Sequence, residues 1–105
     1  MDEIINILEE LGLPFAYDHF AEGEGPAPPF LCYRCPNSNN FAADGTVFFP
    51  ITEIDIELYT DKKDPDIEKK LEDLLVKNDV FFDKTETWID SEKLYEVLYS
   101  FEQEA

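Results

Sequence analysis

The sequence predicts an α+β fold: a mainly antiparallel β-sheet packed by two α-helices, in the order helix, strands, helix, strands. Three observations lead there. Apolar residues recur at helical spacing in two separate segments, Ile4 to Leu11 and Ile67 to Leu75. Between them Ile54, Ile56 and Leu58 alternate with Glu53, Asp55 and Glu57, the period of a strand with one buried face. The 105 residues suffice for one modest core and not for two, so residues 1–105 are read as a single domain.

In the first segment Ile4, Leu8 and Leu11 share a helical face, with Ile5 and Ile7 beside them, Asp2 as the expected cap and Gly12 as the terminator. Leu13 to Tyr17 reads as a brief strand. Asp18 to Pro29 is rich in Gly and Pro, has no periodicity, and reads as a long exposed loop. Phe30 to Tyr33 favours a strand that Pro36 ends, because proline cannot donate to a ladder. Asn37 to Gly45 reads as a second, polar loop. Thr46 to Phe49 and Ile51 to Thr60 are extended, with Pro50 marking a break or bulge between them.

Asp61 to Asp66 turns the chain. Asp64 as cap and Pro65 at the first helical position open the second helix, which Ile67, Leu71, Leu74 and Leu75 carry up to Asn78. Val80 to Thr87 returns to strand composition, Trp88 and Ile89 end it, and Asp90 to Lys93 make a turn. Leu94 to Phe101 fits two periods: Tyr95, Val97, Tyr99 and Phe101 alternate, while Leu94, Leu98 and Phe101 also suit a helix. Aromatic and β-branched content favours the strand.

Charge bounds the function. Asp and Glu number 25 against eight Lys and Arg, a net charge of -17. That excludes direct binding of nucleic acid through phosphate neutralisation, which needs clustered cations, and argues against docking on anionic membranes. The 44% apolar and 14% aromatic content supplies surface to bury, so a folded acidic domain is expected rather than a disordered chain. No apolar run approaches the roughly 18 residues of a membrane span, and the amino terminus is acidic where a signal peptide is basic. Synthesis and retention in the cytoplasm are expected. The charge is also uneven: residues 1–60 carry -10 with Arg34 as their only base, and residues 61–105 carry -7.

Few residues point to chemistry. Cys32 and Cys35 form a lone CxxC. A zinc site needs four ligands, and besides Met1 only His19 adds a sulfur or imidazole donor. A redox pair normally opens a helix, whereas these cysteines sit at a strand end, where a spacing of three puts them on opposite faces. Free thiols are expected. His19 is the single histidine and lies in a loop, which leaves no imidazole network for acid–base work. Asp61, Asp64 and Asp66 lack the glycine and closing glutamate of a calcium loop and read as a capped turn. No phosphate-cradling glycine loop or nucleophile elbow is present. A non-enzymatic protein without cofactor or metal is expected. The candidate site is the acidic ladder Glu53, Asp55 and Glu57, whose like charges must be offset by solvent or by cations. It reads as a solvated sheet face, or as an interface to a basic partner or the lining of a lumen past which DNA slides, since phosphate and carboxylate repel.

The order of motifs adds a resemblance. A short amphipathic helix leads to a strand at Phe15 to Tyr17 and a proline-rich loop feeding Pro29-Phe30-Leu31-Cys32-Tyr33. The strand Ile54-Asp55-Ile56-Glu57-Leu58-Tyr59-Thr60 follows, then a helix, then Tyr95-Glu96-Val97-Leu98-Tyr99-Ser100-Phe101. Over nearly the whole chain this resembles the tail completion, or tail terminator, family of long-tailed bacteriophages and prophages, small proteins that join heads to tails. The resemblance implies a structural role in the virion at the head–tail junction, after assembly in the host cytoplasm. It implies self-association into a ring, commonly of six copies, that caps the tail tube and meets the head–tail connector protein. The loops Asp18 to Pro29 and Asn37 to Asp44 would touch neighbouring virion proteins. It assigns no catalytic, cofactor or metal residue. The same charge also admits an alternative of another class, an acidic DNA mimic that occupies the DNA groove of a host nuclease, restriction enzyme or repressor. Lys69 and Lys70, interspersed among the acids of Asp66 to Asp73, dilute that mimicry.

Overall fold

The computed structural model describes residues 2–38, 41–43, 46–49 and 51–104. In chain order the elements are α1 (Asp2–Leu11), β1 (Phe15–Tyr17), β2 (Phe30–Arg34), β3 (Phe41–Ala43), β4 (Thr46–Phe49), β5 (Ile51–Thr60), α2 (Pro65–Lys77), β6 (Asp83–Ile89) and β7 (Leu94–Glu104). The fold is α+β as expected, and the segment from Leu94 is a strand.

Helix α1 buries Ile4, Ile7 and Leu8 and stops at Gly12, whose φ of +86° is a left-handed conformation that glycine adopts without strain. Asp2 lies within the first turn rather than before it. There it and Glu3 face the positive end of the helix dipole. Helix α2 begins as its sequence dictates. The Asp64 carboxylate accepts from the Ile67 amide at 3.2 Å, and Pro65 stands in the first turn, where a missing N–H goes unused. At its other end the Asn78 side-chain amide donates to the Leu74 carbonyl at 2.8 Å, and Asp79, at φ +59°, turns the chain away. Val80 and Phe82 then pack on the core instead of opening a strand. Strand β6 therefore starts at Asp83, later than composition suggests, and it includes Trp88 and Ile89.

Five strands form one sheet in the order β1-β2-β5-β7-β6. All neighbours are antiparallel except β1 and β2, which run parallel with Phe15 opposite Leu31. A parallel pair cannot be closed by a tight turn and needs a crossover of about a dozen residues. That requirement explains the length of the loop from Asp18 to Pro29. The centre of the sheet is the long β5–β7 pair, in register from Ile51↔Glu104 to Thr60↔Tyr95.

The segment read as a polar loop from Asn37 to Gly45 is corrected in part: Phe41–Ala43 is a strand, paired with Thr46–Phe49. The break expected at Pro50 falls outside the described residues. Beyond Arg34, opposite Asp55, pairing continues: the Glu53 amide donates to the Asn37 carbonyl at 2.9 Å and Ser38 bridges Thr52. Strands β3 and β4 form a second, two-stranded sheet of their own.

Both helices cover the same face of the sheet. Ile4, Ile7 and Leu8 of α1 and Leu71 and Leu75 of α2 close over Leu31, Ile54, Ile56, Leu58, Val97, Tyr99 and Phe101. A charged staple completes this layer. Glu68 of α2, 3% exposed, meets Lys63 at 2.6 Å and Lys84 of β6 at 2.8 Å, and Lys84 also meets Glu72 at 2.8 Å. Among the described residues no helix is long and apolar enough to cross a membrane.

Candidate functional site: the carboxylate face of the sheet

Because side chains alternate, the registers fix what stands on the face opposite the helices. Across β2, β5, β7 and β6 the rows are Phe30, Tyr59, Glu96, Thr87; then Cys32, Glu57, Leu98, Thr85; then Arg34, Asp55, Ser100, Asp83. A last row holds Glu53 and Glu102. The ladder Glu53, Asp55 and Glu57 is brought together as read. The sheet adds Asp83, Glu96 and Glu102, which no local pattern ties to it. Within these rows Arg34 is the one basic residue. Lys63 and Lys84, by contrast, serve the helix side.

The ladder is not simply solvated. The side chains of Asp55 and Glu57 are only 13% and 14% exposed, and each has an oxygen 3.6 Å from Arg34 Nε, a loose pairing. Ser100 Oγ donates to Asp55 at 2.7 Å, and the Asn37 amide donates to Glu53 at 3.2 Å. The Tyr59 hydroxyl donates to Glu57 and reaches Glu96 at 3.3 Å. Burial, the bond to Glu57 and the charges of Glu57 and Glu96 push the Tyr59 hydroxyl far above its ordinary value, so it stays a donor. Glu96 is raised by its own burial and then by the charge of Glu57, against the bond from Tyr59.

A raised carboxyl in the folded state means that its ionised form opposes folding at neutral pH. The opposition is present above the folded value and gone below the unfolded one, about 4.3. Glu96→Gln is therefore expected to stabilise the protein at pH 7 by about 0.5–1 kcal/mol, the scale of facing like charges on strands. Urea unfolding at pH 7 and below pH 4 checks this: the gain disappears in acid, and a gain that persists there has another origin.

One end of the face is covered by the crossover loop. Phe20 sets its ring edge-on to Phe30 at 5.5 Å, and Phe30 stacks on Tyr59 at 5.0 Å. Cys32 lies beneath, 5% exposed, and burial followed by the charges of Glu57 and Asp18 pushes its thiol up to about 11. Cys35 packs on the helix-side core instead, so the two sulfurs point to opposite faces, as their spacing requires. His19 is exposed and its Nδ1 lies 2.8 Å from Asp18. Asp64 caps α2, as the capped-turn reading of Asp61, Asp64 and Asp66 expects. Among the described residues no three His, Cys, Asp or Glu side chains are grouped to hold a metal ion.

No protein-family model matches the chain, and no curated protein matches it significantly.

Proposed function

We propose that this chain is a non-enzymatic assembly protein of the tail completion type: it caps a phage tail tube, joins it to the head connector, and does so as a ring of copies. The observation that carries the reading is the segregation of charge. One sheet face is sealed by two helices and their lysine-bridged carboxylates. The other presents Glu53, Asp55, Glu57, Asp83, Glu96 and Glu102 around Arg34 alone. Such a face attracts basic protein surfaces and repels DNA, which suits a part that meets neighbouring proteins while a genome passes. The β3–β4 pair supports the same reading, because a two-stranded sheet that no third described strand joins is marginal alone and gains from a neighbour.

Charge reversal tests the proposal. Asp55 and Glu57 are too covered to change without disturbing the fold, so the variant is Glu53→Lys, Asp83→Lys and Glu102→Lys together. It is expected to keep its circular dichroism and lose co-purification with tail-tube and head-connector proteins. In phage its particles are expected to separate into heads and tails by electron microscopy. Intact, infectious particles from the variant would overturn the reading. So would a wild-type pull-down that returns host DNA-binding enzymes, the outcome expected of a DNA mimic. Purified copies, each carrying -17, are expected to associate more as salt rises.

A further inference from the structure

The loop-covered end of the carboxylate face holds a groove of about 390 Å³ lined by Asp18, Phe20, Phe30, Tyr59, Ile89 and Glu92, among others. We infer that this groove receives an arginine side chain presented by a partner protein. Its size lies at the low end for ligand sites, roughly 300–1,000 Å³, which suits one side chain and its flanks rather than a helix or strand.

Its walls are flat. Phe30 and Tyr59 are stacked with 25° between their planes, and Phe20 stands at 90° to Phe30. A guanidinium is planar, weakly hydrated and able to lie on aromatic faces while keeping its charge. The ring of Tyr59 is suited to this, because its hydroxyl bonds to the carboxylates of Glu57 and Glu96, which make the ring more electron-rich.

The lining carries two carboxylates, Asp18 and Glu92, and neither lysine nor arginine; its one imidazole, His19, lies on Asp18 at 2.8 Å. Among the described residues Glu92 has no ion-pair partner, and neither has Glu96, which stands outside the lining at the Tyr59 hydroxyl. An apolar occupant would strip water from Asp18 and Glu92 and return nothing for it. An anionic one would be repelled. Lysine meets the charge but not the flat walls, and its ammonium is more strongly hydrated. The inference concerns the aromatic end of the face, and it stands or falls apart from the role in head–tail joining.

The test uses the full chain, labelled with nitrogen-15, and a short Gly/Ser peptide with one central arginine. Companion peptides carry lysine, leucine or citrulline, the last having the shape of arginine without its charge. With arginine, saturable amide shifts are expected at Phe20, Phe30, Cys32, Tyr59, Ile89 and Glu92. The lysine peptide is expected to bind several-fold more weakly, and the citrulline and leucine peptides not measurably. Phe20→Leu, which removes a ring from an exposed loop, and Glu92→Gln, which removes a rim charge, are each expected to weaken binding at least threefold with the remaining spectrum unchanged. Equal binding of citrulline or leucine would overturn the inference. So would unsaturable shifts spread over Glu53, Asp83 and Glu102, the mark of general attraction to the acidic surface, or wild-type affinity in both variants. None of these outcomes bears on whether the protein joins heads to tails, which the charge-reversal variant tests.

Discussion

Tyr99→Ala is expected to remove about 3–5 kcal/mol of stability, the range for deleting a large aromatic side chain from a core. For 105 residues the total is on the order of 5–15 kcal/mol, so this one change takes roughly a fifth of it or more. Tyr99 is a fully buried side chain, in β7 at the middle of the sheet. Its ring meets Phe82 edge-on at 5.3 Å, and its hydroxyl donates to Glu72 of α2 at 2.8 Å. The two contributions separate in a pair of variants. Tyr99→Phe keeps the ring and leaves Glu72 its bond from Lys84, so it is expected to lose only about 1 kcal/mol. Urea unfolding of both decides the matter: if Tyr99→Phe loses as much as Tyr99→Ala, the hydroxyl and not the ring ties the helix to the sheet.

Glu68→Ala is expected to lose about 2–3 kcal/mol at pH 7. Breaking a fully buried ion pair from one side costs roughly 3–5 kcal/mol, because the other charge is stranded. Here Lys63 and Lys84 are 43% and 35% exposed and recover water, so the loss falls below that range. An exposed pair on the same helix is the contrast. Lys69 and Asp73 are 75% and 65% exposed, and Lys69→Ala is expected to change stability by less than about 0.5 kcal/mol. The dependence on pH follows from Glu68 itself. Its burial works to raise the carboxyl, but the bonds from Lys63 and Lys84 overcome burial and hold it below the usual carboxylate value. Its stabilisation is thus full above the unfolded value, about 4.3, and lost as pH falls through the lower folded value. The gap between wild type and Glu68→Gln in urea midpoint is expected to close in that acid range. A gap that stays constant down to pH 3 would mean that shape, not charge, makes Glu68 matter.

Local signals carried much of the fold. Helix α2 was legible from Asp64-Pro65 and the spacing of Ile67, Leu71 and Leu75, and β5 from its alternation, because cap and period are properties of neighbouring residues. The strand at Leu94 was ambiguous from within. It is decided by β5 and β6, which hydrogen-bond to it on both sides. Phe41–Ala43 lies inside the segment Asn37 to Gly45, whose polar composition reads as a loop and gives no strand period. Strand β1 is read from Leu13 to Tyr17, but its parallel pairing has no local signal except the length of the crossover.

The candidate site divides the same way. Glu53, Asp55 and Glu57 were legible because they share one strand. Asp83, Glu96 and Glu102 join them only through register, which a single sequence does not print. Arg34 likewise became their counter-charge through its position opposite Asp55. Phe20, in a loop without periodicity, gave no hint that it would fold back on Phe30.

The position of β7 has a consequence for how the molecule is made. Of the five strands of this sheet it leaves the ribosome last, yet it stands between β5 and β6, with partners tens of residues upstream on β5. Until residues 94–104 emerge, β5 has one unpaired edge, the alternating Ile54, Ile56 and Leu58 lack their neighbours Val97, Tyr99 and Phe101, and β6 has no partner. Vectorial synthesis therefore produces a half-built sheet with an open edge, the kind of surface that invites pairing between nascent chains. The acids that alternate with those isoleucines, Glu53, Asp55 and Glu57, make nascent copies repel one another during that interval.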